Sequence, residues 1–147
     1  MTREIRDHGE RIGFRLVDIS TEEGRTLASV KGIVGPKIGK YRIDLNSLAT
    51  LAVKAIERAR ENCDIIVVDE VGPMELLSPE FRRAVHHSIL ESTKPAICVI
   101  HLRYSDPLLA ELRSSEEAEE IELNYENRDT VPLDLGKNVI QFLSRKR

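Results

Sequence analysis

The sequence predicts an α/β fold, and three observations carry that reading. Ile65-Ile66-Val67-Val68 is a continuous β-favouring apolar run, as in a buried parallel strand, and Ala96 to His101 is a second. Apolar residues recur at three- and four-residue steps around these runs, so strand and helix alternate as in parallel β-α-β units. Before Leu45 the character differs, with short strands broken by turn residues. The expected organisation of the 147 residues is a single domain, with an antiparallel β segment over 1–44 and an α/β core over 45–147.

Within the first segment the strands run Arg3 to Arg6, Arg11 to Ile19, Arg25 to Lys31 and Tyr41 to Ile43. Turn signals separate them at Asp7-His8-Gly9, Glu22-Glu23-Gly24 and Gly32 through Gly39. Phe14 and Leu16 alternate with charged or polar neighbours, as in a half-exposed ribbon. From Asn46 the period becomes helical. Leu48, Leu51, Ala52, Ala55, Ile56 and Ala59 share one face, Lys54, Glu57, Arg58 and Arg60 take the other, and Asn62 closes the helix. After the first core strand, Ser78-Pro79-Glu80 supplies an N-cap, a proline at the first helical position and an acid in the first turn. That helix is expected to reach about Leu90. Asp106-Pro107 opens a short helix through Leu112, and Ile121 to Leu123 is expected as a third core strand. Leu135, Val139, Ile140, Phe142 and Leu143 line a final helix.

Composition narrows the function classes. The formal net charge is −3 with both signs mixed along the chain, which gives no electrostatic footprint for nucleic acid. The basic end Arg145-Lys146-Arg147 is too short to alter that. No apolar run approaches the roughly 20 residues that span a bilayer, and Met1 to Arg6 holds no apolar signal segment. Cys63 and Cys98 sit beside or inside apolar strands, as buried reduced thiols do. The expected setting is the cytoplasm, with no membrane partner.

The chemistry concentrates where the first core strand ends on Asp69 and Glu70. Ligands of open α/β sheets bind at the carboxyl ends of strands, and two acids there have the shape of a Walker B element. One acid would position Mg²⁺ and its water shell, and the next would activate a water against a γ-phosphate. The bland alternative is that both acids merely lead into a polar loop. Gly72-Pro73 forces a tight turn immediately after, and Glu75 adds a third acid. No Walker A motif accompanies them. Gly35-Pro36-Lys37-Ile38-Gly39-Lys40-Tyr41 has Val34 and Tyr41 where a P-loop needs glycine and a hydroxyl residue, and it leads into an extended run. It reads as a glycine-rich loop between strands, from which Lys37 or Lys40 could still reach a nucleotide.

His101, at the end of the second core strand, is placed to orient an attacking water, or is simply satisfied by backbone. Arg103 could neutralise phosphate charge or be an ordinary surface arginine. His86 and His87 are adjacent and expected to point apart on a helix, which excludes a metal pair. Ser114 to Glu120 reads as a solvated acidic helix end.

Five segments occur in a telling order: Thr2-Arg3-Glu4-Ile5-Arg6, Arg11-Ile12-Gly13-Phe14, Ile38-Gly39-Lys40-Tyr41, Asp69 through Leu76, and Glu126-Asn127-Arg128-Asp129. Together they resemble the THEP-type nucleoside-triphosphatases, small P-loop enzymes that include the cancer-related nucleoside-triphosphatase. The resemblance covers nearly the whole chain. It implies a RecA-like core with an antiparallel ribbon inserted after the first helix, and Mg²⁺-dependent hydrolysis of ATP, GTP and other nucleoside triphosphates. Carried onto this sequence, it implies that Asp69 holds the Mg²⁺ water shell, Glu70 is the general base and Glu75 orders the site. Asn127 and Arg128 would lie near the base or ribose, and a salt bridge at a helix start is an equal reading for Arg128.

The resemblance departs at one place. In such proteins a strand, a Gly-rich loop ending Gly-Lys-Thr or Gly-Lys-Ser, and a helix precede the segment that here begins at Met1. The expectation is a truncated form whose absent strand would lie mid-sheet, between the strand ending at His101 and the one at Ile121 to Leu123, leaving apolar edges exposed. Little activity is expected of these residues alone, since two acids cannot position a triphosphate. Two alternatives stay open: a non-catalytic binding module, which should fold cooperatively by itself, and a nucleotide or nucleoside kinase, whose turnover should depend on an acceptor.

Overall fold

The computed structural model describes residues 1–145; Lys146 and Arg147, and with them the basic end weighed above, lie outside the described residues. Five strands build an antiparallel sheet: β1 (Thr2–Asp7), β2 (Glu10–Val17), β3 (Gly24–Ser29), β4 (Lys37–Ile38) and β5 (Tyr41–Ile43), in the order β1-β2-β3-β5-β4. The ribbon is thus as the alternation predicts, with two adjustments. β2 stops at Val17 because Asp18 turns the chain, its carboxylate accepting from the Ser20 amide at 3.0 Å, and Ile19 is left exposed. The glycine-rich stretch contributes β4, joined to β5 through Gly39, whose φ of +57° suits a residue without Cβ. It is a hairpin and not a phosphate loop.

The helix predicted from Asn46 forms a run of α1 (Leu45–Ser47), a π-helical turn over Leu48–Ala52 and α2 (Val53–Asn62). Asp44 caps it, its carboxylate accepting from the amides of Asn46 and Ser47 at 3.0 and 3.2 Å. At the far end Lys94 donates to the Cys63 carbonyl at 2.6 Å. β6 (Ile66–Val71) follows, then a 3₁₀ turn (Glu75–Leu77), α3 (Pro79–Val85), a π-helical turn (His86–Leu90), β7 (Ala96–Ile100) and α4 (Pro107–Ser114). Both predicted caps are present. Ser78 accepts from the Phe81 amide at 3.2 Å, and Asp106 from the Leu108 amide at 2.9 Å.

β6 and β7 pair in parallel. Ile66, Val68 and Val71 are buried, but Val67 is exposed, so β6 has one covered face and not the two that its apolar run suggests. A single cluster joins the ribbon (Leu27, Ile43) to the helical run (Leu48, Ile56), β6 and the helices beyond it (Phe81, Val85, Leu109).

Ile121 to Leu123 is not a strand: Ile121 and Leu123 are exposed, in irregular chain. A strand is stable only as part of a ladder, and this short run, interleaved with Glu119, Glu120 and Glu122, pairs with no strand among the described residues. The final helix, α5 (Val131–Arg145), forms as predicted but has no fully buried residue. No helix among the described residues is long and apolar enough to cross a membrane.

Candidate functional site

Asp69 and Glu70 stand half-buried at the carboxyl end of β6. The β6–β7 register slips between Asp69 and Val71: Asp69 faces Val99, Val71 faces Ile100, and Glu70 has no ladder partner. Such a bulge re-aims a side chain at the end of a strand. The peptide bond between the two acids is cis.

Gly72 then makes room. A Cβ there would lie 2.9 Å from Glu70 Oε1 and 3.2 Å from Glu75 Oε2, so both carboxyls lie over the one residue that lacks a side chain. The following turn is tight, with the Leu76 amide bonded to the Gly72 carbonyl at 3.0 Å and the Ser78 amide to the Glu75 carbonyl at 3.1 Å. Arg82 braces it by donating from Nε to the Leu76 carbonyl at 2.6 Å and gripping both Asp106 oxygens at 2.9 and 2.5 Å. The turn carrying Glu75 is thereby tied to the cap of α4.

Glu75 is only 2% exposed. Its Oε1 accepts from Thr2 Oγ1 at 3.5 Å, a long bond, and its Oε2 has no partner among the described residues. Burial, first, and the negative charge of Glu70 push its carboxyl up to about 7, against the milder pull of the Glu75 and Gly72 amides. Burial also raises Glu70, aided by Asp69 and opposed by His101. Cys98, behind Asp69, is pushed up to about 12 by burial, which leaves it an inert thiol.

Asp69, Glu70, Glu75 and His101 are therefore brought together. His101 follows β7, exposed, with its amide bonded to the Val71 carbonyl at 3.3 Å and its ring 6.3 Å from that of Tyr104. Arg103 is exposed in the same loop. Lys40 is held in the β4–β5 hairpin by Glu10 at 2.9 Å. Asn127 organises the turn before α5, donating to the Glu122 carbonyl at 2.9 Å and accepting from the Asn124 amide at 2.8 Å. Arg128 lies over the Tyr125 ring at 5.1 Å, close to Asp129. The structure draws none of Lys40, Asn127 and Arg128 into contact with the acids.

Sequence reasoning missed the roles of Thr2, Gly72 and the Arg82–Asp106 clamp. The apolar neighbours Met74 and Leu76 were the available signal that Glu75 turns inward. His86 and His87 do not point apart. The wider π turn brings Nδ1 of each to a different oxygen of Glu91, at 3.3 and 2.6 Å, and His86 Nε2 also reaches Glu111 at 3.2 Å. Among the described residues, no three His, Cys, Asp or Glu side chains are grouped to hold a metal ion by themselves. Two adjacent carboxylates are nevertheless the hard oxygen donors that Mg²⁺ prefers, and it ordinarily completes its shell with water and phosphate.

Comparison with known proteins shows the family and a similar fold. A sequence profile for the family described as NTPase matches residues 1–135. The nucleoside-triphosphatase THEP1 of Methanosarcina acetivorans is 40% identical over 142 residues, covering 97% of this chain and 78% of the relative. That of Thermofilum pendens is 36% identical, covering 99% and 80%. The crystal structure of THEP1 from Aquifex aeolicus superposes with a TM-score of 0.76 at 29% identity, covering 85% of this chain and 75% of that one.

Proposed function

This chain belongs to the NTPase family, among relatives named nucleoside-triphosphatase THEP1, and from that premise we propose that it hydrolyses ATP, GTP and other nucleoside triphosphates with Mg²⁺. The observation that carries the proposal is Glu70, released from its ladder beside Asp69 at the end of a parallel strand. In this reading the core is RecA-like, with residues 1–44 as its antiparallel insertion and 45–147 as its α/β part.

Glu70 accepts a proton from the attacking water, and burial that raises its carboxyl makes it a better base near neutrality. His101 orients that water from the end of β7, and Arg103 answers charge that develops on the γ-phosphoryl oxygens. Asp69 holds the water shell of Mg²⁺, which when bound supplies charge neutralisation on the phosphates. Asn127 and Arg128 meet the base or ribose, with the Tyr125–Arg128 pair offering a flat surface to stack on. Lys40 joins only if the nucleotide draws it away from Glu10.

The 147 residues contain no Gly-x-x-x-x-Gly-Lys-Ser/Thr, so alone they are expected to bind nucleotide poorly and turn over little. The unpaired thiols Cys63 and Cys98 support a cytoplasmic setting. The test is nucleotide hydrolysis by wild type and Glu70→Gln. Phosphate release that survives the substitution would refute the assignment, and release that requires a metabolite acceptor would indicate a kinase.

A further inference from the structure

Side chains alternate between the two faces of a strand. In the antiparallel sheet Thr2, Leu16, Ala28 and Ile43 turn towards the core and the site, which puts Arg3, Arg15 and Arg42 on the outer face. The cross-strand register there runs Arg3–Arg15–Thr26 in one row and Ile5–Gly13–Ser29–Arg42–Lys37 in the next. Neither row contains a carboxylate; Asp7 and Glu10 lie beyond them, at the β1–β2 hairpin. Arg3 and Arg15 stand directly opposite, a like-charge pair that costs stability. Among the described residues Arg3, Arg15 and Lys37 have no ion pair and no side-chain hydrogen bond, and Arg42 reaches only the neutral Gly35 carbonyl, at 2.9 Å. Elsewhere in the same sheet Arg6 and Arg11 share Glu4, Arg25 has Glu23 and Lys40 has Glu10. The outer cations are exposed, and the Arg15 guanidinium lies across Gly24, in the space a Cβ would fill.

An opposite surface is present on the same chain. After α4, Glu116, Glu117 and Glu119 stand exposed in irregular chain, without an ion pair among the described residues. Their neighbour Glu120 is taken by Arg113 at 3.1 Å, and Arg113 also donates to the His101 carbonyl at 3.2 Å, past the carboxyl end of β7. Arg3 follows Thr2, which bonds Glu75 past the carboxyl end of β6. The acidic stretch and the start of the basic face thus border the same end of the parallel pair.

We propose that the outer face of the sheet binds a second copy of the chain, with Glu116, Glu117 and Glu119 of each copy seated on Arg3, Arg15, Lys37 and Arg42 of the other. Because both surfaces border one end of the molecule, a two-fold axis lets each copy give and receive the same contact. Arginine forks match carboxylates in geometry as well as charge, and the contact relieves the repulsion between Arg3 and Arg15. An interface of exposed charges is reversible and salt-sensitive, since such charges are screened beyond about 10 Å at 0.1 M salt. Nucleic acid suits the face less well, because neither row holds an aromatic side chain for a base to stack on. The contact is independent of the hydrolytic assignment.

Sedimentation velocity of the protein, with any upstream coding sequence included, tests this at about 0.05 M and about 0.5 M salt. Wild type at about 100 μM is expected to dimerise in the low salt and to be monomeric in the high. Arg3→Glu sets a carboxylate opposite Arg15, so its thermal melt should match or exceed that of wild type while dimerisation weakens about tenfold or more. Arg3→Glu/Arg15→Glu and Glu116→Arg/Glu117→Arg should each be monomeric alone and dimerise when mixed, because the exchanged charges complement one another. Lys37→Glu/Arg42→Glu replaces the first basic-face pair if that pair folds poorly. A dimer that survives the basic-face substitutions overturns the proposal, as do folded variants that stay monomeric when mixed. Wild type that is monomeric in low salt also overturns it, and capture of a fluorescent single-stranded oligonucleotide by that monomer would assign the face to nucleic acid.

Discussion

Replacing Glu75 by glutamine should reshape how stability depends on pH, and the size of the effect follows from where that carboxyl sits. In the folded chain it is pushed up to about 7 by burial, above its ordinary value of 4.5. Between those two values the folded state holds a proton that the unfolded state has released. The contribution is therefore complete below the unfolded value and is lost as pH rises through about 7. At about 1.4 kcal/mol per pKa unit, wild type should lose about 2.5 kcal/mol between pH 5 and pH 8.5 relative to Glu75→Gln. Urea unfolding followed by circular dichroism, on both proteins at several pH values, measures this directly. Charges shared by the two chains cancel in the comparison, and a poorly accommodated amide adds only a constant. A stability difference that stays flat from pH 5 to 8.5 would refute the claim that Glu75 is buried and poorly compensated.

Other outcomes follow from neighbouring contacts. Gly72→Ala should lower kcat with little change in unfolding midpoint, because its Cβ meets the movable carboxyl ends of Glu70 and Glu75 and not backbone; steady-state kinetics with a thermal melt checks both. Asp106→Ala removes the α4 cap and leaves Arg82 without its carboxylate, and should cost about 2–3 kcal/mol in urea unfolding. Asp106 is held below the usual carboxylate range, by Arg82 first, so its stabilisation should be present above the unfolded value and fade as the pH falls through the folded one. Lys94→Met should cost about 1 kcal/mol by uncapping the end of α2, again read by urea unfolding.

Local chemistry was the legible part of the fold. Ser78 and Asp106 cap helices through their own side chains, and such short-range bonds are written in the order of residues. The alternation of Phe14 and Leu16 placed the ribbon for the same reason. Failures came where a partner at long range decides. Ile121 to Leu123 has strand-forming residues but no ladder to join, and β6 exposes Val67 because only one of its faces is covered. His86 and His87 converge on Glu91 because the helix widens to π geometry, which ordinary helical spacing does not foresee. At the site, Asp69 and Glu70 were visible as acids at a strand end. The bulge that frees Glu70 and the burial of Glu75 over Gly72 were not, since both depend on register and turn geometry.

The most direct test of the central claim is Mg²⁺-dependent phosphate release from ATP and GTP, by the 147 residues alone and with any upstream coding sequence included, each with its Glu70→Gln counterpart. The account predicts little release by the 147 residues and, wherever release occurs, dependence on Mg²⁺ and a loss of about a hundredfold or more in Glu70→Gln with nucleotide binding retained. Release that is indifferent to Mg²⁺, or as fast in Glu70→Gln as in wild type, would contradict it.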